Sequence, residues 1–221
     1  MSYFLKYSYR IYGMRHVILS PHFDDAIFSC YSVLKNKDVL VINVFAGAPL
    51  HPKYKLWDLI CGHINSTVMM NHRTNENKEV FDELGVKFVN LDNLENQYTK
   101  SRNIKFIEDS IRKNLEKDDV IYAPISNSKI YKHPDHLLVR SIANNLSKEY
   151  QVKYYLDLPY MNPRLKHSNE EVVKLENKDI ENKFKLSKKY KTQYSPTNLV
   201  SFGNLGRGIK SGIEKFFNSL Q

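Results

Sequence analysis

Residues 15–25, RHVILSPHFDD, decide the fold class of this chain. Their first six residues form a near-continuous apolar run with β-branched side chains, which is typical of a strand buried on both faces. Residues 38–46, DVLVINVFA, repeat that pattern. Three further segments are candidate strands, at residues 86–91, 119–124 and 152–158.

Amphipathic segments separate these predicted strands. Apolar residues recur there at helical spacing, in residues 25–36, 71–84, 102–115 and 134–146. Gly85 stands where a glycine commonly ends a helix, and Pro134 stands at a first turn. Strands that alternate with helices indicate an α/β fold, here a Rossmann-like, mostly parallel sheet with helices on both faces.

The chain length of 221 residues suits a single domain with one buried core. No repeat or linker divides it, so we expect one domain over residues 1–221. Its catalytic core would span about 15–195, with a basic C-terminal extension at 196–221. Three later segments also carry predictions: a helix at 178–189, a flexible loop at 203–208 (GNLGRG), and an amphipathic segment at 213–220 that docks on the body or on another subunit.

The net charge of +9 limits the classes of partner. Much of the basic excess lies in residues 164–221, which fits either a solvated lysine-rich helix or attraction to an acidic substrate, such as a phosphate-linked sugar. No nucleic-acid motif accompanies the charge, so we expect no nucleic-acid partner. No apolar stretch is long enough to span a bilayer, and residues 1–15 lack a signal-peptide pattern. We therefore expect a cytoplasmic protein without a membrane span, and leave open whether it forms a homo-oligomer.

Two short motifs carry the chemistry. Residues 20–25, SPHFDD, follow the first predicted strand, and residues 133–136, HPDH, follow the fourth. In parallel α/β folds, ligands bind outside the carboxyl ends of the strands, so both motifs lie where a site is expected. Aspartates at helix N-caps would account for the carboxylates, but capping explains none of the histidines.

A catalytic zinc takes three protein ligands and leaves a position for water, and His22, Asp25 and His136 would supply such a set. Metal binding lowers the pKa of water, which makes it a usable nucleophile near neutral pH. Asp24 would then accept a proton as the general base. The same donor set suits Fe²⁺ as well as Zn²⁺.

His133 and Asp135 complete the predicted machinery. A protonated His133 would stabilise the oxyanion of the reacting amide and donate a proton to the leaving amine. Asp135 would orient His133 and raise its pKa by opposite charge. Together, the two motifs predict an enzyme that cleaves an amide with water.

These motifs resemble those of the LmbE-like, or PIG-L, N-deacetylases, whose first signature usually reads His-Pro-Asp-Asp-Glu and whose second reads His-x-Asp-His. Three other segments are similar to that family: residues 44–49 (VFAGAP), an Arg73-x-x-Glu76 helix and residues 190–193 (YKTQ). The resemblance implies zinc held by His22, Asp25 and His136, Asp24 as base and His133 as electrophile. It also implies that Arg73 contacts the substrate, although the residues alone equally allow Arg73 to pair with a carboxylate such as Glu76.

The resemblance implies removal of the N-acetyl group from an N-acetylglucosamine-type conjugate, for which an anionic form is one option. Departures from the pattern, namely Phe23, Ala26 and residues 29–31, bear on pocket shape more than on the reaction. Trp57 fits either a core anchor, which we favour, or a lid near the sugar. Two alternatives remain open: hydrolysis of a non-sugar amide at the same site, and a non-catalytic sugar- or nucleotide-binding protein of the same fold.

Overall fold

The chain folds around one seven-stranded sheet. The computed structural model describes residues 14–36, 38–126, 133–166 and 168–218. The strands are β1 (His16–Ser20), β2 (Val39–Asn43), β3 (Lys87–Asn90), β4 (Val120–Pro124), β5 (Gln151–Tyr155), β6 (Glu170–Lys174) and β7 (Ile213–Phe217). The helices are α1 (Asp25–Ser29), α2 (Tyr31–Leu34), α3 (Leu56–Ile60), α4 (Ser66–Leu84), α5 (Ile104–Arg112), α6 (Pro134–Leu146), α7 (Asn177–Ser187), α8 (Lys191–Val200) and α9 (Asn204–Lys210).

The strand order of the sheet is β3-β2-β1-β4-β5-β7-β6. Strands β1 to β5 pair in parallel, and β6 and β7 add an antiparallel edge. The chain moves outward from β1 to β3 and then returns to place β4 on the other side of β1. This reversal opens a crevice at the carboxyl ends of β1 and β4, which is where ligands bind in such sheets.

All five predicted strands are present, each within a few residues of its predicted bounds. Strands β2 and β4 are buried at every position, as the continuous apolar runs predicted. Burial on both faces removes each of these Val and Ile side chains from water, which is worth about 1.5–3 kcal/mol per side chain. The mostly parallel α/β prediction is therefore confirmed.

The helix predictions hold in outline. Helix α6 matches its predicted bounds, and Gly85 ends α4 in the left-handed conformation with φ 65°. Helix α4 begins earlier than predicted because the Asn65 side chain caps it by accepting from the backbone of Thr67 and Val68. The segment at 25–36 is two short helices rather than one, since the backbone leaves helical geometry at Cys30.

The predictions for two late segments were wrong. The glycine-rich segment at 203–208 is not a flexible loop but lies largely within α9, because Leu205 and Ile209 on one face are fully buried. Gly208 is needed there for close packing, since an added Cβ would lie 2.6 Å from Leu158. Within the segment at 213–220, residues 213–217 form strand β7, so they pair within the sheet of the body and do not dock as a separate amphipathic segment.

Strand β7 is anchored by a buried ion pair. Lys183 Nζ of α7 lies 2.6 Å from Glu214 Oε1, and both side chains are only 1% exposed. Glu214 also accepts hydrogen bonds from the backbone of Tyr31 and Ser32 and from the Ser32 hydroxyl. The predicted extension at 196–221 thus contributes to the sheet and holds the helices that follow β1. No described helix is long and apolar enough to cross a membrane.

Candidate metal centre and active-site cavity

The two predicted motifs meet at one cavity. The residues after β1 and those at the start of α6 converge at the strand-order reversal, where they line a cavity of about 360 Å³. Both motifs therefore lie at the same edge of the sheet, as their positions after strands predicted. Asp24 takes the N-cap position of α1 but makes no side-chain capping hydrogen bond, so capping does not account for it.

The three predicted metal-ligating side chains, His22, Asp25 and His136, lie close together. Asp25 Oδ2 lies 3.4 Å from His22 Nδ1 and 3.4 Å from His136 Nε2. His136 Nε2 is buried and has no hydrogen-bond partner. A buried polar atom without a partner is costly unless a ligand satisfies it, and nitrogen and carboxylate donors are those that zinc takes. The residues present thus fit a bound divalent metal ion.

Each histidine of this set is held by a carboxylate on its other ring nitrogen. His22 Nε2 lies 2.9 Å from Asp135 Oδ2, and His136 Nδ1 lies 3.2 Å from Asp157 Oδ2. Such partners fix the orientation and tautomer of a metal-ligating imidazole and raise its basicity. This arrangement is a second structural indication that the free nitrogens of His22 and His136 face a cation.

A second ligand set shares two of these residues. Nitrogen atoms of His22, His133 and His136 lie within 4.8 Å of one another, which makes them a three-histidine group able to hold a metal ion. The two sets differ only in whether Asp25 or His133 supplies the third ligand. Asp25 is also held by the His22 backbone, whose N–H donates to Oδ2 at 2.8 Å.

The charges at this centre are strongly coupled. Burial disfavours ionised Asp25, but the positive charge of His136 and the hydrogen bond and charge of His22 outweigh it and lower the pKa of Asp25 to about 2. Burial also disfavours protonated His22, yet its hydrogen bonds with Asp135 and Asp25 raise its pKa well above the ordinary value. Carboxylates therefore concentrate negative charge here, which favours a bound cation.

Asp24 differs from its neighbour Asp25. Burial and the Asp25 charge raise the pKa of Asp24 to about 6, although Arg73 and His22 favour its ionised form. Asp24 also lines the cavity. A carboxylate with a pKa near 6 is largely ionised at neutral pH and still accepts a proton readily, which suits a general base.

His133 lies at the N-cap of α6 and lines the cavity. Its Nδ1 accepts a hydrogen bond from the Asp135 backbone N–H at 3.3 Å, so the neutral ring carries its proton on Nε2. Burial and the positive charges of His22 and His136 lower the pKa of His133 to about 3. This lowering favours the neutral form of His133, whereas the sequence led us to expect a protonated ring.

The Asp135 carboxylate lies closer to other groups than to His133. It is 3.9 Å from His133 Nδ1 but contacts His22 and pairs with Arg102. The Asn96 backbone N–H also donates to it at 3.1 Å. Asp135 thus joins the first motif to the loop that follows β3, while its backbone N–H donates to His133 and its negative charge acts to raise the pKa of that ring.

Arg73 is buried beside the site, and its partner is not Glu76. Its guanidinium pairs with Glu95, lies over the Phe23 ring and lines the cavity. Glu76 instead accepts hydrogen bonds from the backbone and hydroxyl of Thr192. The two segments that resembled the family signatures, Arg73-x-x-Glu76 and residues 190–193, therefore contact each other.

Several residues of the site were not anticipated. Asp157 holds His136 from outside the cavity lining, and it was missed because the predicted strand at 152–158 included it, whereas β5 ends at Tyr155. Glu95 and Tyr160 line the cavity, and the Tyr160 ring packs 5.2 Å from that of His136. No sequence pattern marked them. Trp57 lines the cavity rather than anchoring the core, contrary to the interpretation we favoured.

One protein-family model matches the chain, over a range that contains both motifs. The family model described as PIG-L, GlcNAc-PI de-N-acetylase, matches residues 17–147, which is more than half of the chain. That range contains both motifs and ends with α6. No curated protein sequence matches the chain at a significant level.

Comparison with solved structures gives the same fold at low sequence identity. A triple-mutant deacetylase of the teicoplanin biosynthetic pathway has 23% identity and a TM-score of 0.77, covering 92% of this chain and 96% of its own. The zinc-inhibited form of a teicoplanin deacetylase has 21% identity and a TM-score of 0.70, covering 93% and 99%. The N,N'-diacetylchitobiose deacetylase of Pyrococcus horikoshii has 16% identity and a TM-score of 0.57, covering 91% and 83%.

Proposed function

The chain belongs to the PIG-L family of de-N-acetylases, and from this premise we propose that it is a metal-dependent hydrolase that removes the N-acetyl group from an N-acetylated amino sugar. The observation that carries the proposal is the unpartnered Nε2 of buried His136, which faces Asp25 at 3.4 Å beside a cavity. Proteins of the same fold include a deacetylase of the teicoplanin biosynthetic pathway and an N,N'-diacetylchitobiose deacetylase, which supports this reaction class.

We assign the metal to His22, Asp25 and His136, with zinc as the ion and Fe²⁺ as the alternative that the same donors accept. Bound there, the ion would act as a Lewis acid on the amide carbonyl and would lower the pKa of a water molecule. One neighbour was solved in a zinc-inhibited form, so zinc does bind to a protein of this fold.

The side chains around the three metal-ligating residues carry out the proton transfers. The Asp24 carboxylate accepts a proton from the attacking water, because it lines the cavity and its raised pKa makes it basic enough. The same proton can then pass to the leaving amine nitrogen, so that water and amide yield acetate and amine. His133 Nε2–H donates a hydrogen bond to the carbonyl oxygen as negative charge develops on it.

The sugar would be held by the polar cluster next to Arg73. Glu95 pairs with Arg73 and also accepts from the Gln97 side-chain amide at 2.7 Å. All three residues line the cavity, and Gln97 Oε1 has no partner. A mixture of donors and acceptors fits sugar hydroxyls. It favours a neutral sugar over an anionic one, because the Arg73 charge is already paired.

Acetate release tests the proposal. The purified protein, stripped of metal and reloaded with Zn²⁺ or Fe²⁺, would be given a panel of N-acetylglucosamine conjugates together with simple N-acetylated amines. We expect acetate from sugar conjugates only, with loss of activity on chelation and recovery on reloading. Release from simple amines at comparable rates would indicate a non-sugar amide hydrolase, and no release by a metal-loaded protein would indicate a binding role.

Three features predicted from the sequence complete the proposal. We propose a single catalytic domain over residues 1–221, in which residues 196–218 belong to the structural unit because β7 lies in its sheet. A cytoplasmic location stays a prediction, and whether the chain forms a homo-oligomer stays open. Size-exclusion chromatography with light scattering would measure the oligomeric state.

A further inference from the structure

The cavity is lined by polar side chains at its metal-ligating end and by several apolar side chains elsewhere. At the metal-ligating end, Asp25 and His136 are almost fully buried. Elsewhere the lining includes apolar side chains that the chemistry does not use, among them Phe28, Trp57, Leu158 and Val200. Much of this lining comes from residues beyond 147, outside the range that the family model matches.

Two helices that contribute apolar side chains to the cavity lining also carry exposed apolar residues. On α3, Trp57 lines the cavity, and its neighbours Leu56, Leu59 and Ile60 are exposed. On α8, Val200 lines the cavity and is itself 48% exposed. We use the name apolar rim for Leu56, Leu59, Ile60, Leu199, Val200 and Phe202, the exposed apolar residues of these two helices and of the turn after α8.

Both helices of the apolar rim reach the same cavity, because Trp57 of α3 and Val200 of α8 both line it. Phe202 is 82% exposed and adopts a left-handed backbone with φ 51°, a conformation that is unfavourable for a bulky side chain. An exposed apolar group at a strained position gains nothing for folding, which points to a ligand that it contacts.

We infer that the substrate is an amino-sugar conjugate with an apolar aglycone, which leaves the cavity along the apolar rim. This inference rests on the proposed function and names the substrate class of the same site. The N-acetyl end must reach the buried metal-ligating residues, so the part of the substrate that extends to solvent is the group attached to the sugar. Apolar surface on that route gains free energy only from an apolar group.

Binding can be measured independently of catalysis, because Trp57 is the chain's one tryptophan and lines the cavity. The methyl and octyl glycosides of N-acetylglucosamine, both anomers and below micelle-forming concentrations, would be titrated against tryptophan fluorescence. We expect the octyl glycoside to bind about 10- to 100-fold more tightly, as expected if a few methylene groups are buried. Equal affinity for both glycosides would overturn the inference.

Two matched substitutions locate the effect. Val200→Asn on the apolar rim should remove most of the octyl preference. Val172→Asn on β6, at a similarly exposed valine that does not line the cavity, should preserve it. Phe202→Asn, which suits the left-handed backbone, should lower the preference without loss of stability. The same preference in all variants would place the alkyl chain elsewhere and overturn the inference.

Different experimental results would contradict the proposed function and this inference. Preferential octyl binding without acetate release would support an apolar binding route out of the cavity but remove the hydrolase assignment. Acetate release at equal rates from both glycosides, with equal binding, would remove the inference alone. A dimer that Phe202→Asn converts to a monomer would identify the apolar rim as a subunit interface and also overturn the inference.

Discussion

Two regions of the chain build the same cavity in different ways. Residues 17–147, which match the family model, supply the metal-ligating and proton-transferring groups, and the region after them supplies walls and support. The later region places Leu158, Tyr160 and Val200 in the cavity lining and Asp157 behind His136. The chemistry thus depends on a few polar atoms in one region, whereas shape depends on packing in the other.

This difference predicts how each region responds to substitution. In the first region a single lost atom should abolish the reaction with little change in stability. In the later region substitutions should change stability, metal affinity or substrate preference by smaller amounts. The following substitutions test this contrast, in order of decreasing expected effect.

His136→Ala should have the largest effect. It removes the unpartnered Nε2 that we assign to the metal, so the protein should lose its bound ion and on the order of 10³-fold or more in kcat/KM, since a metal supplies several kcal/mol of charge stabilisation. Metal content by mass spectrometry and acetate release would be measured together. His72→Ala, at an exposed histidine of α4, is the control and should keep both.

Asp24→Asn should separate proton transfer from metal binding. The amide keeps the size of the side chain but cannot act as the base, so activity should fall by about 10²- to 10⁴-fold while the metal stays bound. Asp25→Asn should lower the metal content in addition to the activity, whereas His133→Ala should leave the metal content unchanged. If His133→Ala loses the metal and Asp25→Asn keeps it, the three-histidine set is the correct one.

The buried ion pair of the later region should affect stability rather than chemistry. Lys183→Met leaves Glu214 charged and buried without its cation, which costs about 3–5 kcal/mol in the free energy of unfolding. Lys35→Met is a matched control, because Lys35 pairs with Asp179 but is half exposed, and it should cost at most about 1 kcal/mol. Urea unfolding measures both, and similar costs for the two variants would contradict a special role for the buried pair.

The sequence predicted the first region better than the second for physical reasons. Continuous apolar runs identify strands that are buried on both faces, and polar motifs after such strands must meet at one edge of a parallel sheet. That reasoning predicted that His22 and His136 lie close together, although more than a hundred residues separate them in the sequence. The contacts of the Asp135 carboxylate with His22 and Arg102 were not predicted, because both partners come from distant segments of the chain.

The later region lacked such regularities. Glycines at 203–208 indicated a loop, yet the missing side chain of Gly208 lets α9 pack closely against Leu158, which no local pattern reveals. Strand β7 carries Glu214 and Lys215 among its buried residues, because each finds a partner from a distant segment, and this obscured the alternation that predicts a strand. Long-range pairing of charges thus escapes prediction from local patterns.

The smallest predicted effect joins the two regions. Asp157 of the later region contacts His136 Nδ1, so Asp157→Asn should weaken metal affinity by about 10- to 100-fold through poorer orientation and basicity of the imidazole. Activity should then recover largely at high metal concentration, which a lost ligand would not allow. Metal titration against a competing chelator would measure the change.

Asp119→Asn is the matched control, since Asp119 is equally buried but pairs with Arg15 away from the cavity, and it should lower stability without changing metal affinity. Unchanged metal affinity in Asp157→Asn would mean that the two regions act independently, and that the later region contributes only walls to the site.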